Sequence, residues 1–225
     1  MVNIKANIQQ LRKEIPENVK LVVVSKTRTN EDVMTAYDAG ERVFGENRVQ
    51  ELIAKQPDLP SDIKWHMIGH LQTNKVKYIA GWVSMIEAVD RMKLLRHINK
   101  EAKKHDRVIP CLLQFHIAEE ETKFGLDIGE AEEILSSKEF EDMGNVKICG
   151  VMGMATFTED MKKVRREFQH LKNMYDQIKR QYFADDAGFS EISMGMSNDY
   201  KVALDEGATM LRLGSTIFGP RNNDK

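Results

Sequence analysis

The sequence predicts a single (β/α)8 barrel of the TIM type with one extra helix at its N-terminus. Three observations carry that expectation. Short apolar runs rich in β-branched residues alternate with longer charged segments of helical period, the pattern of parallel strands joined by crossover helices. Eight such runs fit into 225 residues, which open sheets seldom manage and a barrel of about 250 residues does naturally. The competing architecture, a doubly wound sheet, would carry a G-x-G-x-x-G turn after its first strand, and this sequence has none there.

The elements follow in order. An amphipathic helix near residues 3–15 leads into the first strand, "LVVVS" (21–25). A helix near 30–39 precedes "RVFG" (42–45), and one near 46–56 precedes "KWHMIG" (64–69). Helices near 71–80 and 90–105 flank "WVSMIE" (82–87) and lead to "VIPCLLQFHI" (108–117). The second half repeats the rhythm: helix 128–138, strand "VKICGVMG" (146–153), helix 158–182, strand "FSEISMG" (189–195), helix 197–207 and strand "TMLRLGS" (209–215). No Pro/Gly/Ser-rich linker interrupts the series, so residues 1–225 are expected to form one domain.

Composition narrows the function. Lys+Arg 33 against Asp+Glu 35 gives a net charge of −2, without the field that would draw nucleic acid or an anionic membrane. The opening "MVNIKANIQQLRKEI" lacks the apolar core of a secretory leader, and no apolar run approaches the ~18 residues of a membrane span, so a cytoplasmic location is expected. Cys111 and Cys149 each sit inside an apolar run and read as buried free thiols. No oversized apolar face stands out, and a monomer is expected.

A barrel places its active groups at the C-terminal strand ends, with anion sites favoured after strands 7 and 8. Lys26 stands there, after strand 1, and alternation puts it on the face of Val22 and Val24. In strand 8, Leu211 and Leu213 suit packing against the helices, which turns Arg212 inward with Met210 and Gly214. A buried guanidinium needs an acceptor: an inward acid such as Glu191, or a ligand lone pair. Strands 7 and 8 end in "SMGMSND" (193–199) and "RLGSTIFG" (212–219), small residues before a helix start, which expose backbone N–H groups to an anion. An inward lysine in an electropositive, partly dry site has a lowered pKa and can form a Schiff base. Pyridoxal 5'-phosphate (PLP) fits this set, with Lys26 on its aldehyde, the turns on its phosphate and Arg212 on its ring nitrogen.

The motifs "VVVSKTRT" (22–29), "FGENRVQE" (44–51), "WHMIGHLQTNK" (65–75), "KFGL" (123–126), "SMGMSND" (193–199) and "RLGSTIFGPR" (212–221), in that order, resemble the pyridoxal phosphate homeostasis proteins, the YggS/PROSC family. The resemblance covers essentially the whole chain. It implies a barrel similar to the N-terminal domain of alanine racemase, a Schiff-base lysine at Lys26, phosphate positions at Ser193, Gly214 and Ser215, and the ring-nitrogen arginine at Arg212. Ser215 stands where the family usually has threonine, Thr29 where it often has proline, and "GVMGMATF" (150–157) departs from its usual pattern. None of these removes a ligand atom.

Other residues carry weaker readings. Asn47 either caps the following helix or reaches the cofactor. His66 is expected to line the mouth near the ring, and Met194 is counted with the cofactor-binding turn. His66 and His70 do not share a helical face as a metal pair would. Lys123 reads as a loop lysine, with a second resting place for PLP as the alternative. Lys162, Lys163, Arg165 and Arg166 read as a solvated helix face.

Function follows from what the site lacks. Eight strands are complete by about residue 215, leaving no room for the second domain that gives alanine racemase its opposite-face tyrosine. Arg212 on the ring nitrogen would also keep the ring a weak electron sink. The expectation is a PLP-binding protein of intracellular PLP homeostasis, which stores, buffers or delivers the cofactor without robust catalysis. Its expected partners are PLP, free amino acids and PLP-dependent apoenzymes. The alternatives are a racemase-like enzyme of amino acids and a barrel binding another phosphorylated aldehyde or sugar.

Overall fold

In the computed structural model, residues 2–119 and 124–220 are described. Strands β1 (Lys20–Val24), β2 (Val43–Glu46), β3 (Lys64–Met67), β4 (Met85–Val89), β5 (Ile109–Phe115), β6 (Val146–Gly153), β7 (Glu191–Ser193) and β8 (Met210–Leu213) pair in sequence order. All neighbours are parallel, and β8 returns to β1 with Val22 opposite Arg212, closing the barrel. The TIM-barrel expectation holds, extra N-terminal helix included.

Around the strands run α1 (Ile4–Glu14), α2 (Asn30–Asp38), α3 (Val49–Lys55), α4 (Met92–Lys103), α5 (Ile128–Ser136), α6 (Lys138–Glu141), α7 (Met161–Tyr182), α8 (Tyr200–Asp205) and α9 (Ser215–Phe218). Their starts are written in the sequence. Asn3, Thr29 and Asp160 cap α1, α2 and α7 with side-chain oxygens, and Asp127 with Glu130 forms a capping box on α5. No described helix is long and apolar enough to cross a membrane.

Alternation along each strand sorts the apolar residues into two cores. Leu21, Val23, Phe44, Trp65, Ile86, Leu113 and Leu211 face outward and join the helices in one large cluster. Val22, Val24, Ile68, Met85, Leu112, Met152 and Met210 pack inside the barrel. Each such side chain contributes about 1.5–3 kcal/mol on burial. The inner cluster is small because polar groups share its space: His66, Glu87, Ser193 and Arg212 are all buried.

Three elements differ from the sequence expectation. The segment 71–80 holds a 3₁₀ helix (Thr73–Tyr78) rather than an α-helix; Val76 and Ile79, three apart and fully buried, suit its three-residue turn. Strand 4 begins at Met85, because Trp82 and Val83 still hydrogen-bond back to Ile79. That shift puts Glu87 in mid-strand. Helix 128–138 breaks at Ser137, whose backbone turns extended and whose hydroxyl caps α6. Cys111 and Cys149 are free thiols, Cys149 only half-buried.

Candidate functional site

The C-terminal ends of β1, β2, β7 and β8 surround a cleft of about 240 Å³, near the lower end of small-molecule sites. Val24 and Lys26 enter it from the end of β1, Asn47 from β2, and Arg212, Gly214 and Ser215 from β8. Lys26 is half-exposed just past the strand. Lys123 lies outside the described residues.

The loop after β7 forms one wall. Met196, Ser197, Asn198 and Asp199 all line the cleft. Gly195 makes this possible: at φ 92° it occupies the left-handed region, and a Cβ there would lie 2.6 Å from the Ala203 side chain. The Asp199 carboxylate accepts the Met196 N–H at 2.5 Å and pins the loop. The Ser197 hydroxyl accepts the N–H groups of Gly214, at 3.4 Å, and Thr216, at 3.2 Å. The Ser197 oxygen thus occupies the two backbone donors of the turn around Ser215, at the cleft wall. Of the two serines in "SMGMSND", the second, Ser197, lines the cleft and the first, Ser193, does not.

The interior beneath the cleft is a hydrogen-bonded chain. Arg212 donates from Nη1 to Ser193 Oγ at 2.6 Å and from Nη2 to the Gly153 carbonyl at 2.9 Å. Ser193 Oγ donates to Glu87 Oε2 at 2.6 Å, and the other oxygen of Glu87 is 2.7 Å from His66 Nδ1. Burial alone would raise the Glu87 carboxyl, but the hydrogen bond and charge of His66, the charge of Arg212 and the Ser193 bond together hold it below the usual carboxylate range. Arg212 is 4 % exposed yet lines the cleft. A guanidinium has five N–H donors, so it has donors to offer there beyond the two spent below.

Several predicted positions move accordingly. Ser193 is fully buried and does not line the cleft, because its hydroxyl lies between Arg212 and Glu87. His66 is buried against Glu87 and also lies below the lining. Met194 points outward, fully buried in the outer core, because it follows inward Ser193 by one residue. The acid serving Arg212 is Glu87 and not Glu191, which pairs with Lys20 and Thr209 at the opposite end of the barrel. Lys26, Asn47, Arg212, Gly214 and Ser215 do meet at the cleft.

Met154, Ile68 and Phe157 complete the mouth. Phe157 is 77 % exposed, an aromatic left open to solvent at the edge of the cleft. Periodicity could not find it, since it lies in the loop after β6.

A closed parallel barrel with a lysine after strand 1 and an inward arginine on strand 8 is the frame of the alanine racemase N-terminal domain class. The model of that family matches residues 1–222. The alanine racemase of Clostridium difficile 630 shares the fold, with a TM-score of 0.78 at 15% identity, and this chain covers 57% of it.

At higher similarity the chain belongs to the pyridoxal phosphate homeostasis protein family. The Aquifex aeolicus member is 39% identical over 206 residues, 90% of this chain and 87% of that one. The Pasteurella multocida member is 33% identical over 229 residues, 99% and 95% of the two chains. The structure of PipY from Synechococcus elongatus with PLP bound matches with a TM-score of 0.86 at 32% identity, over 96% of this chain and 100% of that chain.

Proposed function

We propose that this chain binds pyridoxal 5'-phosphate in the cleft at the barrel mouth and takes part in intracellular PLP homeostasis by storing, buffering or delivering it. The observation that carries the reading is the convergence of Lys26, Arg212 and the backbone turn around Ser215 on one cleft. The family assignment and the PLP-bound relative support it.

The donor set fits the cofactor group by group. Lys26 supplies the amine for a Schiff base with the aldehyde. A phosphate oxygen beside Ser215 would take over the N–H groups of Gly214 and Thr216 from Ser197 Oγ and free that hydroxyl to donate to it, where charge-assisted bonds are strong. Arg212 donates to the ring nitrogen. Bound there, the cofactor offers an electrophilic aldehyde and a ring that can delocalise charge. Arg212 limits the second property, since a guanidinium keeps its proton and leaves the ring nitrogen without one.

The test is direct. The purified protein should show a visible absorbance band that borohydride removes. Incubation with L-alanine and other L-amino acids should shift that band without sustained production of D-isomer or keto acid. Turnover near the typical enzyme rate of about 10 s⁻¹, lost in Lys26→Ala, would establish the racemase-like alternative instead.

A further inference from the structure

Behind Lys26 lie features that are costly and that the cleft does not use. Thr27 has φ 63°, one of two described non-glycine residues with positive φ. For a β-branched residue this conformation is strained. Lys55 is buried, with Nζ 2.6 Å from the Ser25 carbonyl and 2.6 Å from Glu46 Oε1. Glu46 is fully buried too, and its Oε2 is the one buried side-chain polar atom left without a partner among the described residues. Burial pushes its carboxyl up against the pull of Lys55.

Stability does not account for these groups. A buried ion pair is often no better than apolar residues of the same volume, and an orphaned oxygen adds a further cost. What they share is the turn that carries Lys26. The Ser25 carbonyl accepts the Arg28 N–H at 3.0 Å as well as the Lys55 ammonium. Ser25 Oγ donates to Glu46 Oε1 at 2.7 Å. On the other side, the Thr27 N–H donates to Glu51 Oε2 at 2.7 Å, and Glu51 lies 3.7 Å from Lys55. The backbone is gripped one residue before Lys26 by Lys55 and one residue after it by Glu51, both of α3, while Glu46 of β2 holds the Ser25 hydroxyl and Lys55 itself.

We propose that Lys55 and Glu46 are positioning residues for Lys26: their buried pair, acting through the strained 25–28 turn, holds the Lys26 amine in line for an incoming aldehyde. The proposal rests on the reading of Lys26 as the lysine that bonds the cofactor.

Two ligands separate this role from a structural one. Pyridoxamine 5'-phosphate keeps the phosphate and ring but carries an amine where PLP has its aldehyde, so it uses every contact except the bond to Lys26. Native protein should bind PLP more tightly than pyridoxamine phosphate. Lys55→Met/Glu46→Leu removes both charges at similar volume and should melt no lower than native. It should bind pyridoxamine phosphate within twofold of native but PLP at least tenfold more weakly. Should that variant not fold, Lys55→Gln should give the same split at about threefold, since Glu46 can then take up a proton. A preserved preference for PLP, or equal losses for both ligands, would overturn the inference. Equal binding of the two ligands by native protein would instead refute the role of Lys26 itself, and the inference with it.

Discussion

Two fully buried glutamates stand near the two functional arms of the cleft, and the fold treats them in opposite ways. Glu87, inside the barrel, has both oxygens occupied and the Arg212 guanidinium nearby, and its carboxyl is held below the ordinary value of 4.5. Glu46, between β2 and α3, has one oxygen shared by Ser25 and Lys55 and the other unpartnered, and burial raises its carboxyl above 4.5. Burial is common to both. The number of satisfied lone pairs decides which protonation state the fold prefers. Glu87 therefore serves as a charge, balancing Arg212. Glu46 serves as a brace for the Lys26 turn.

The comparison is broken most severely at Glu87. Glu87→Gln removes the buried carboxylate bonded to Ser193 and His66, leaves Arg212 only the charge of Asp199, and should cost about 3–5 kcal/mol in urea unfolding. A loss under 1 kcal/mol would mean that the buried arginine does not depend on that carboxylate.

Next come the two serines of "SMGMSND". Ser193→Ala strips a bond from both Arg212 and Glu87 and should lower stability by about 1–3 kcal/mol. Ser197→Ala should leave stability near native and weaken PLP retention by about ten- to a hundredfold, the loss of one charge-assisted bond of about 1.5–3 kcal/mol. If Ser193→Ala instead cost only affinity, the phosphate would sit where the sequence reading first put it.

That pair shows how far the sequence could be read. Strand and helix order was legible because alternation and helical period are local properties, and Lys26 and Arg212 followed from parity on β1 and β8. Glu87 ends the run "WVSMIE" with no local mark of its role, which needs the β3, β7 and β8 neighbours that only barrel closure supplies. That Ser193 lies below the cleft and Ser197 on its wall is not legible, because a strand-end residue and a loop residue look alike in sequence. Nothing local marks Lys55 as a side chain that reaches back to the Ser25 carbonyl.

Glu46→Gln should be milder than Glu87→Gln, about 1–3 kcal/mol, because Lys55 keeps the Ser25 carbonyl and has Glu51 at 3.7 Å. The smallest effect lies in the pH dependence of stability from about pH 3 to 7. The contribution of Glu87 is fully present above 4.5 and is lost as pH falls through its lower folded value. That of Glu46 is present below 4.5 and is lost as pH rises through its higher folded value. Glu87→Gln should flatten the acid limb below 4.5, and Glu46→Gln the decline above it. The same limb flattened by both substitutions would erase the distinction.

Both networks matter only if the cleft they support holds PLP on Lys26. The measurement is mass spectrometry of the PLP-loaded protein after borohydride reduction and proteolysis. The account predicts a pyridoxyl phosphate adduct on the peptide containing Lys26. An adduct confined to other lysines, with the Lys26 peptide unmodified, would contradict it.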